Sequence, residues 1–332
     1  MTATIRPSVG APHARIVGIG GYRPARVVTN DEICKNIDST DEWIRSRTGI
    51  RTRTYAGVDE TVPDMAVAAG GKAIAQAGIA PEQVGCVIVA SCTHTVQLPA
   101  AGAEVAYRLG CTNAAGWDLG AVCAGFTHGV ATASDMVRAG SSEYVVVIGA
   151  EKFSPIINQL DRGMAFIFGD AAGAAVIGPS ETCKIGPVVW GSDGSQAEAI
   201  RMDGDWIGKA VAGETAYMAM NGQQVFRWAV YSMAPVARRA LEVAGITPDD
   251  LDAFIPHQAN LRITDALVRA IGLPKHVAIG RDIVDQGNTS AASIPLAMER
   301  MIERGETKSG DTALLIGFGA GLSYAAQVVT IP

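Results

Sequence analysis

The chain has 332 residues, of which 48% are hydrophobic and 18% are charged, and its formal net charge is -6. This composition excludes a disordered chain and disfavours nucleic acid or an anionic membrane as a partner. No apolar run reaches the ~20 residues that span a bilayer, and residues 1–14 lack a leader pattern, so we expect a cytoplasmic protein of enzyme size.

Six cysteines are scattered along the chain without the paired spacing of a zinc site or a redox motif, at positions 34, 86, 92, 111, 123 and 183. Free thiols are the simplest interpretation of that pattern. Cys92 and His94 together supply only two of the ligands that a metal ion requires. We therefore expect no metal site.

The first half of the chain is echoed in the second half. Residues 77–89 (AGIAPEQVGCVIV) align with residues 244–256 (AGITPDDLDAFIP), 167 positions later. Each copy reads as a helix end, a turn and a buried strand. The predicted flanking elements are helices over residues 65–76 and 233–243 and strands over residues 144–149 and 313–317. Helix and strand patterns alternate in the same order twice, which predicts two similar α/β halves, residues 1–180 and 181–332.

Cys123 lies in the segment Asp118–Phe126, where a short extended stretch runs into a long run of small, helix-compatible residues. The first turn of a helix carries unpaired N–H groups and a partial positive charge. A sulfur there is expected to be stabilised as thiolate, the form that attacks a carbonyl carbon. The segment by itself also permits a small, buried and inert cysteine.

The second copy offers two further candidates. His257 directly follows the predicted strand over residues 253–256, and chemistry in α/β sheets collects at the carboxyl ends of strands. Asn288 lies near the start of a helix that residues 286–293 open. Taken alone, the histidine could equally be a hydrogen-bonded core residue and the asparagine a helix cap.

Four segments in combination closely resemble β-ketoacyl-acyl carrier protein synthase III: Asp118–Phe126, Pro256–Asn260, Gly287–Ser290 and Gly317–Gly321. Further similar motifs are Asp41–Ile44, Arg47–Ile50 and Asp161–Gly163, so the resemblance extends from about residue 16 to residue 329. It implies an α/β protein with the thiolase-like fold, a duplicated αβαβα five-layer sandwich. It also implies a homodimer.

The resemblance implies an initiating condensing enzyme of type II fatty acid synthesis, an acyltransferase that needs no cofactor. Its substrates would be a short acyl-coenzyme A primer and malonyl-acyl carrier protein. Cys123 would take the acyl group, with its own N–H and that of Gly319 as the oxyanion hole. His257 and Asn288 would then stabilise the enolate that decarboxylation forms, and its carbon would attack acyl-Cys123. The products would be coenzyme A, CO₂ and 3-ketoacyl-acyl carrier protein.

Binding roles also follow from the resemblance alone. It assigns coenzyme A binding to four residues, Trp43, Arg47, Arg162 and Asn260. It assigns docking of the acidic carrier protein to Arg262, with Lys209 and Lys275 as weaker members of the same patch. Leu98 would enter the acyl pocket of the partner subunit and limit the primer, without deciding between acetyl and branched groups.

Related enzymes of the same superfamily are separated by single residues. In thiolases a second cysteine near the C-terminal glycine-rich turn takes a proton. Here Phe318 lies in that turn, and no cysteine follows Cys183. Elongating ketoacyl synthases have cysteine and two histidines as their catalytic residues. In this chain Asn288 takes the role of the second histidine. A priming ketosynthase of a polyketide pathway remains an alternative. A non-catalytic acyl-binding protein on the same fold is another, and the intact Cys123, His257 and Asn288 argue against it.

Overall fold

Two five-stranded sheets organise the molecule, and the computed structural model describes residues 5–332. The strands are β1 (His13–Tyr22), β2 (Arg26–Thr29), β3 (Thr52–Tyr55), β4 (Val84–Ala90), β5 (Ala115–Leu119), β6 (Tyr144–Glu151), β7 (Ala171–Ser180), β8 (Val189–Ser192), β9 (Ile200–Met202), β10 (Met218–Met220), β11 (Ala253–Pro256), β12 (Ala278–Ile279), β13 (Thr312–Gly319) and β14 (Ser323–Thr330). The helices are α1 (Asn30–Ile33), α2 (Asp41–Thr48), α3 (Val62–Ala77), α4 (Ala101–Arg108), α5 (Gly125–Ala139), α6 (Trp206–Val211), α7 (Gly222–Ala244), α8 (Leu261–Ile271), α9 (Ile283–Gln286) and α10 (Ser293–Glu303).

The two sheets have the same topology. The first runs β1-β7-β6-β4-β5 and the second β8-β14-β13-β11-β12. In each, the first two pairings of this order are antiparallel and the last two are parallel. Such agreement supports duplication of one α/β unit. The boundary at residue 180 stays a prediction, and residues 1–4 of the predicted first half lie outside the described residues.

Helices α5 and α10 lie between the sheets, and the largest apolar core surrounds them. Helices α3 and α4 cover the outer face of the first sheet, while α7 and α8 cover the second. The result is the predicted five-layer αβαβα sandwich. Among residues 5–332, no helix combines the length and the apolarity needed to cross a membrane.

Local sequence explains the repeated elements. Strands β4 and β6 are nearly continuous apolar runs, as expected for strands that helices bury on both faces. Helix α3 begins with a capping box between Thr61 and Asp64. Helices α3 and α7 both end at a glycine in the left-handed conformation, Gly78 and Gly245.

One predicted helix boundary was wrong. Helix α7 begins at Gly222, whereas the alanine-rich pattern predicted a start at residue 233. The segment 222–232 (GQQVFRWAVYS) mixes glutamines with aromatic residues and so lacks that pattern. The strand predicted over residues 253–256 was correct to the residue, because its apolar run is bounded on both sides by polar residues.

Two short 3₁₀ turns meet where the halves join. Val122–Ala124 leads into α5, and Ser290–Ala292 leads into α10, 168 positions later. The first residue of each turn has positive φ, 46° at Val122 and 48° at Ser290, although neither is glycine. Strained backbone of this kind persists where the surrounding structure holds it, often at functional sites. The two turns contact each other.

Candidate active site

Cys123 lies in the first of these turns and is 6% exposed. Its sulfur faces the last residue of β13, Gly319. A Cβ atom at Gly319 would lie 2.6 Å from Cβ and 2.8 Å from Sγ of Cys123, so only glycine fits there. Hydrogen bonding from the backbone N–H groups of Cys123 and Ala320 acts to lower the pKa of the thiol. A thiol from the first half thus lies against backbone of the second half.

The predicted thiolate is wrong for this unliganded structure. Burial raises the pKa of the Cys123 thiol to about 11, and the nearby Glu151 carboxyl raises it further. Hydrogen bonds to the sulfur, from the backbone N–H groups and from the Ser290 hydroxyl in the orientation in which it donates to Cys123 rather than to Glu151, act in the opposite direction and do not compensate. Cys123 also precedes the first residue of α5, Gly125, by two positions. Desolvation therefore outweighs the helix dipole, and the sulfur must lose a proton before or during attack.

His257 follows β11 and is 2% exposed. Its Nδ1 lies 2.8 Å from Oγ of Ser293, and that oxygen also accepts the N–H of Gln258 at 3.2 Å. The ring of Phe318 meets the imidazole edge to face, with centroids 5.4 Å apart. Burial lowers the pKa of His257 to about 3, so the imidazole is neutral near pH 7. A neutral imidazole can donate one hydrogen bond to a substrate.

Asn288 is also buried, with 6% exposure. Its Oδ1 accepts the N–H of Ser290, two residues further on, at 2.9 Å. The N-cap positions are Thr289 for the second turn and Ala292 for α10, so the alternative interpretation of Asn288 as a helix cap is wrong. The backbone is fixed as well, because its N–H donates to Ile167 O at 2.8 Å. With Oδ1 occupied, Nδ2 is the group that the amide can offer to a substrate.

Short contacts connect the three candidates. Oγ of Ser290 lies 3.4 Å from the Cys123 sulfur, and its N–H holds Asn288. On the other side, Phe318 contacts His257 and is followed directly by Gly319, which faces the sulfur. Residues distant in sequence, from both halves, therefore surround one centre.

The residues predicted to bind coenzyme A lie close together. The guanidinium carbons of Arg47 and Arg162 lie 5.8 Å and 5.2 Å from the ring centroid of Trp43. Asn260 donates from Nδ2 to Arg47 O at 3.2 Å and caps α8 through Oδ1. Arginines beside an indole suit a phosphorylated nucleotide.

The predicted carrier-protein patch is less uniform. Arg262 is exposed at the start of α8 and lies over the ring of Phe226 at 5.5 Å. Lys275 is exposed beyond the end of α8. Lys209 instead forms ion pairs with Asp203 at 3.3 Å and Glu214 at 2.9 Å. Its charge is already compensated, which weakens its expected role in docking.

Leu98 lies in the segment between β4 and α4 and is 89% exposed. A cavity of about 760 Å³ lies beside this segment, and its lining includes Val96, Pro99 and Lys152. That lining does not include Cys123, His257 or Asn288. The cavity is therefore a neighbouring surface feature rather than the space above the sulfur.

Several side chains around the sulfur were not predicted from the sequence as members of the site. Ser290, Ser293 and Glu151 all contact a predicted residue or its partner. Only Glu151 left a signal, because it ends an apolar strand that is otherwise buried. Within residues 5–332, no group of three or more His, Cys, Asp or Glu side chains is arranged to hold a metal ion.

Comparison with known protein families finds clear matches to this chain. Residues 117–194 match the model for 3-oxoacyl-[acyl-carrier-protein] synthase III, and residues 241–331 match the model for its C-terminal part. The chain is 55% identical over 340 residues to β-ketoacyl-[acyl-carrier-protein] synthase III 1 of Streptomyces coelicolor, and the match covers 99% of each chain. The resemblance noted from the sequence motifs is thereby confirmed over the full length.

Solved structures of similar proteins have the same fold as this chain. The priming β-ketosynthase of the R1128 polyketide biosynthetic pathway superposes with a TM-score of 0.96 and 46% identity, over 100% of this chain and 99% of that one. The 3-oxoacyl-[acyl-carrier-protein] synthase III of Aquifex aeolicus gives a TM-score of 0.88 and 36% identity, over 96% of this chain and 99% of that one. The predicted thiolase-like fold is confirmed.

Proposed function

This chain belongs to the β-ketoacyl-[acyl-carrier-protein] synthase III family, and we propose that Cys123, His257 and Asn288 carry out its chemistry. It is an acyltransferase, the initiating condensing enzyme of fatty acid synthesis. The observation that carries the residue assignment is the position of the Cys123 sulfur. It lies against Gly319 and contacts Ser290, whose N–H is bound by Asn288.

The first half-reaction moves an acyl group from coenzyme A to Cys123. As sulfur attacks the thioester carbon, negative charge develops on the carbonyl oxygen. We assign the first stabilising donor to the N–H of Cys123 and the second to the glycine-rich turn Gly317–Gly321, which lies against the sulfur. The N–H of Gly319, which the resemblance implies as the second donor, stays a prediction, and the N–H of Ala320 is the neighbouring alternative. One such donor is worth about 10² to 10³ in rate.

The second half-reaction joins the acyl group to a malonyl unit held on acyl carrier protein. Loss of CO₂ leaves an enolate, whose oxygen accepts hydrogen bonds from His257 and Asn288. We assign the Ser293 hydroxyl as the hydrogen-bond donor to Nδ1 of His257, which places the imidazole hydrogen on Nε2, where it can face the substrate. The enolate carbon then attacks acyl-Cys123 and releases 3-ketoacyl-acyl carrier protein. Neither step transfers electrons to a redox group, so no cofactor is needed.

Substrate binding uses two surfaces. Trp43, Arg47, Arg162 and Asn260 form the coenzyme A nucleotide site, since their contacts place guanidinium groups beside an indole. Exposed Arg262 and Lys275 give the overall acidic chain a local positive surface for the acidic carrier protein. Lys209 has a minor part because its ion pairs compete.

The enzyme works in the cytoplasm as a homodimer whose subunits each contain two halves, residues 1–180 and 181–332. Support for the dimer comes from Leu98, a large apolar side chain that is 89% exposed on one protomer. An exposed leucine beside a cavity suits insertion into a partner's acyl pocket. Its size would then limit the length of the primer.

The test is mass spectrometry of the intact protein after mixing with acetyl-coenzyme A and, separately, isobutyryl-coenzyme A. We expect one acyl group per chain, located on Cys123, and the preferred primer identifies the substrate. Absence of an adduct with either primer would favour the non-catalytic acyl-binding alternative. An adduct on another residue would overturn the role of Cys123.

A second candidate is a priming ketosynthase of a polyketide pathway, favoured by the TM-score of 0.96 to such an enzyme. Both candidates acylate the same cysteine, so primer loading cannot separate them. The two candidates can be separated by a competition assay. In it, malonyl groups on a fatty-acid carrier protein compete with malonyl groups on a polyketide carrier protein. Faster condensation with the polyketide carrier would favour the second candidate.

A further inference from the structure

Glu151 is a buried carboxylate beside the candidate site and has no part in the two half-reactions described above. It ends β6 and is 0% exposed. One oxygen, Oε2, accepts the N–H of Cys92 at 3.1 Å and the hydroxyl groups of Thr93 at 2.6 Å and Ser91 at 3.3 Å. The other, Oε1, accepts the thiol of Cys92 at 3.4 Å and the hydroxyl of Ser290 at 2.9 Å.

Five donors thus converge on one carboxyl group. Among residues 5–332, no ion pair within 4.0 Å includes Glu151. An ionised carboxylate only accepts hydrogen bonds, and this surrounding satisfies both of its oxygens with donors. Burying such an anion without a cation costs free energy, which a purely structural position would avoid.

Ser290 lies between this carboxylate and the Cys123 sulfur. Its Oγ is 2.9 Å from Oε1 of Glu151 and 3.4 Å from Sγ of Cys123. The residue is held at a φ of 48°, and its N–H is fixed by Asn288. The strained turn therefore holds the hydroxyl at a distance from which it can exchange protons with both neighbours.

We propose that Ser290 and Glu151 form a relay that removes the thiol proton of Cys123 during acylation. This inference rests on the proposed role of Cys123 as nucleophile. Ser290 is the catalytic group because it contacts the reacting sulfur. Glu151 acts through Ser290 and receives the proton.

The proton and electron balance closes over the two half-reactions. As the sulfur bonds to the acyl carbon, its proton passes to Ser290 Oγ, and the serine proton passes to Oε1 of Glu151. The bond between the acyl carbon and the coenzyme A sulfur breaks, and the coenzyme A thiolate takes a proton from water. Condensation later releases Cys123 as thiolate, and Glu151 returns the proton through Ser290.

The alternative base is less suitable. Burial lowers the pKa of His257 to about 3, and its Nδ1 is already bound to Ser293. Burial instead raises the pKa of Glu151 above the usual carboxyl value. The carboxylate is therefore the stronger base. The titratable groups near it are the thiol of Cys92, an exposed residue whose sulfur lies 3.4 Å from Oε1, and the thiol of Cys123, whose pKa burial raises.

The test measures single-turnover acylation of Cys123 by acetyl-coenzyme A, with rapid quenching and intact mass, in wild type and Glu151→Gln. We expect acylation to slow by about 10²-fold in the variant. Its rate should also rise about tenfold per pH unit between about pH 7 and 9, because only preformed thiolate reacts. Wild type should level off above the carboxyl pKa.

Matched variants separate chemistry from structure. Ser290→Ala and Ser290→Gly remove the hydroxyl and leave the carboxylate in place, and glycine also suits the positive φ. Both should lose acylation like Glu151→Gln, which keeps the test decisive if that variant folds poorly. Ser91→Ala removes a donor to the other carboxylate oxygen and should acylate at nearly the wild-type rate.

Decarboxylation of malonyl-acyl carrier protein supplies the internal standard. It depends on His257 and Asn288, so the relay variants should retain it within about threefold. The relay is overturned if folded Ser290→Ala acylates with the wild-type rate and pH profile, or if both half-reactions fall equally. Failure of wild type to form any adduct would instead refute the role of Cys123 itself.

Discussion

We propose that the two halves of the molecule use the same backbone for different chemistry. The turns Val122–Ala124 and Ser290–Ala292 occupy equivalent places before α5 and α10, and both begin with a residue at positive φ. The first carries Cys123, whereas its counterpart in the second, Ala291, is inert. The second supplies Ser290 and, two residues earlier, Asn288. Two similar turns in contact thus carry different candidate groups, a thiol in the first half and a hydroxyl and an amide in the second.

The strands that flank these turns differ in the same way. Strand β6 ends at Glu151, and the equivalent strand β13 ends at Gly319, 168 positions later. The carboxylate of Glu151 is buried and is linked to the Cys123 sulfur by the hydroxyl of Ser290. At Gly319 a side chain would not fit, because the sulfur occupies that space. Equivalent positions thus acquired opposite roles. The comparison predicts that the first half controls acyl transfer and the second controls decarboxylation.

Cys123→Ala should have the largest effect. Removal of the proposed nucleophile should abolish acyl transfer, because among residues 5–332 no other thiol lies against Gly319. Malonyl decarboxylation should remain measurable, since His257 and Asn288 are intact. Rates of CO₂ release and of coenzyme A release check both statements. Complete loss of CO₂ release in a folded variant would contradict the division of labour between the halves.

Asn288→Asp should affect the other half-reaction. Aspartate keeps an oxygen for the N–H of Ser290, and so preserves the turn, but it no longer donates from Nδ2. Decarboxylation should fall by about 10² to 10³ while acylation stays near the wild-type rate. Stopped-flow measurements of the two steps test this. An equal loss in both steps would assign Asn288 to structure instead.

Gly319→Ala should slow acylation by at least about tenfold, since a steric shift of the nucleophile misplaces it for attack. The new methyl group would lie 2.6 Å from Cβ of Cys123, and the sulfur must move. Gly222→Ala is the matched control, because a Cβ there meets no atom within 4 Å. The ratio of kcat/KM values for the two variants decides the point, and equal activity would contradict the close approach.

The smallest effect concerns stability. His257 has its folded-state pKa lowered to about 3, so below about pH 6.5 the unfolded chain binds a proton that the folded chain does not. The free energy of unfolding therefore falls as pH decreases from about 6.5 towards 3, by about 1.4 kcal/mol per unit. Between about pH 7.5 and 5, wild type should lose about 2 kcal/mol relative to His257→Gln. Urea unfolding at both pH values measures this, and a constant difference would contradict the buried neutral imidazole.

The sequence predicted the confirmed fold, and proposed three residues that the structure brings close together, for identifiable reasons. The strand before His257 is a short apolar run with clear ends, and the repeat placed a similar strand in each half. The four motifs around Cys123, His257, Asn288 and the turn Gly317–Gly321 in combination then indicated the family. These features are local in the chain, so one sequence displays them.

The remaining features depend on contacts between distant residues. Ser290 and Glu151 are 139 positions apart, and no local pattern joins them. The protonation state of Cys123 was predicted in the wrong direction because a helix start is visible in sequence, whereas burial is not. The ion pairs of Lys209 are local by contrast: Asp203 and Glu214 lie within six positions of it, on the two sides of α6, and the sequence does not show that the chain brings them together.

The most direct test of the central claim is a sequential intact-mass experiment on wild type and Asn288→Asp. Each protein is first loaded with acetyl-coenzyme A and then mixed with malonyl-acyl carrier protein. Both proteins should gain one acyl group on Cys123, and only wild type should lose it rapidly in the second step. If wild type fails to load Cys123, or if the variant discharges the acyl group as fast as wild type, the division of the chemistry between the two halves is contradicted.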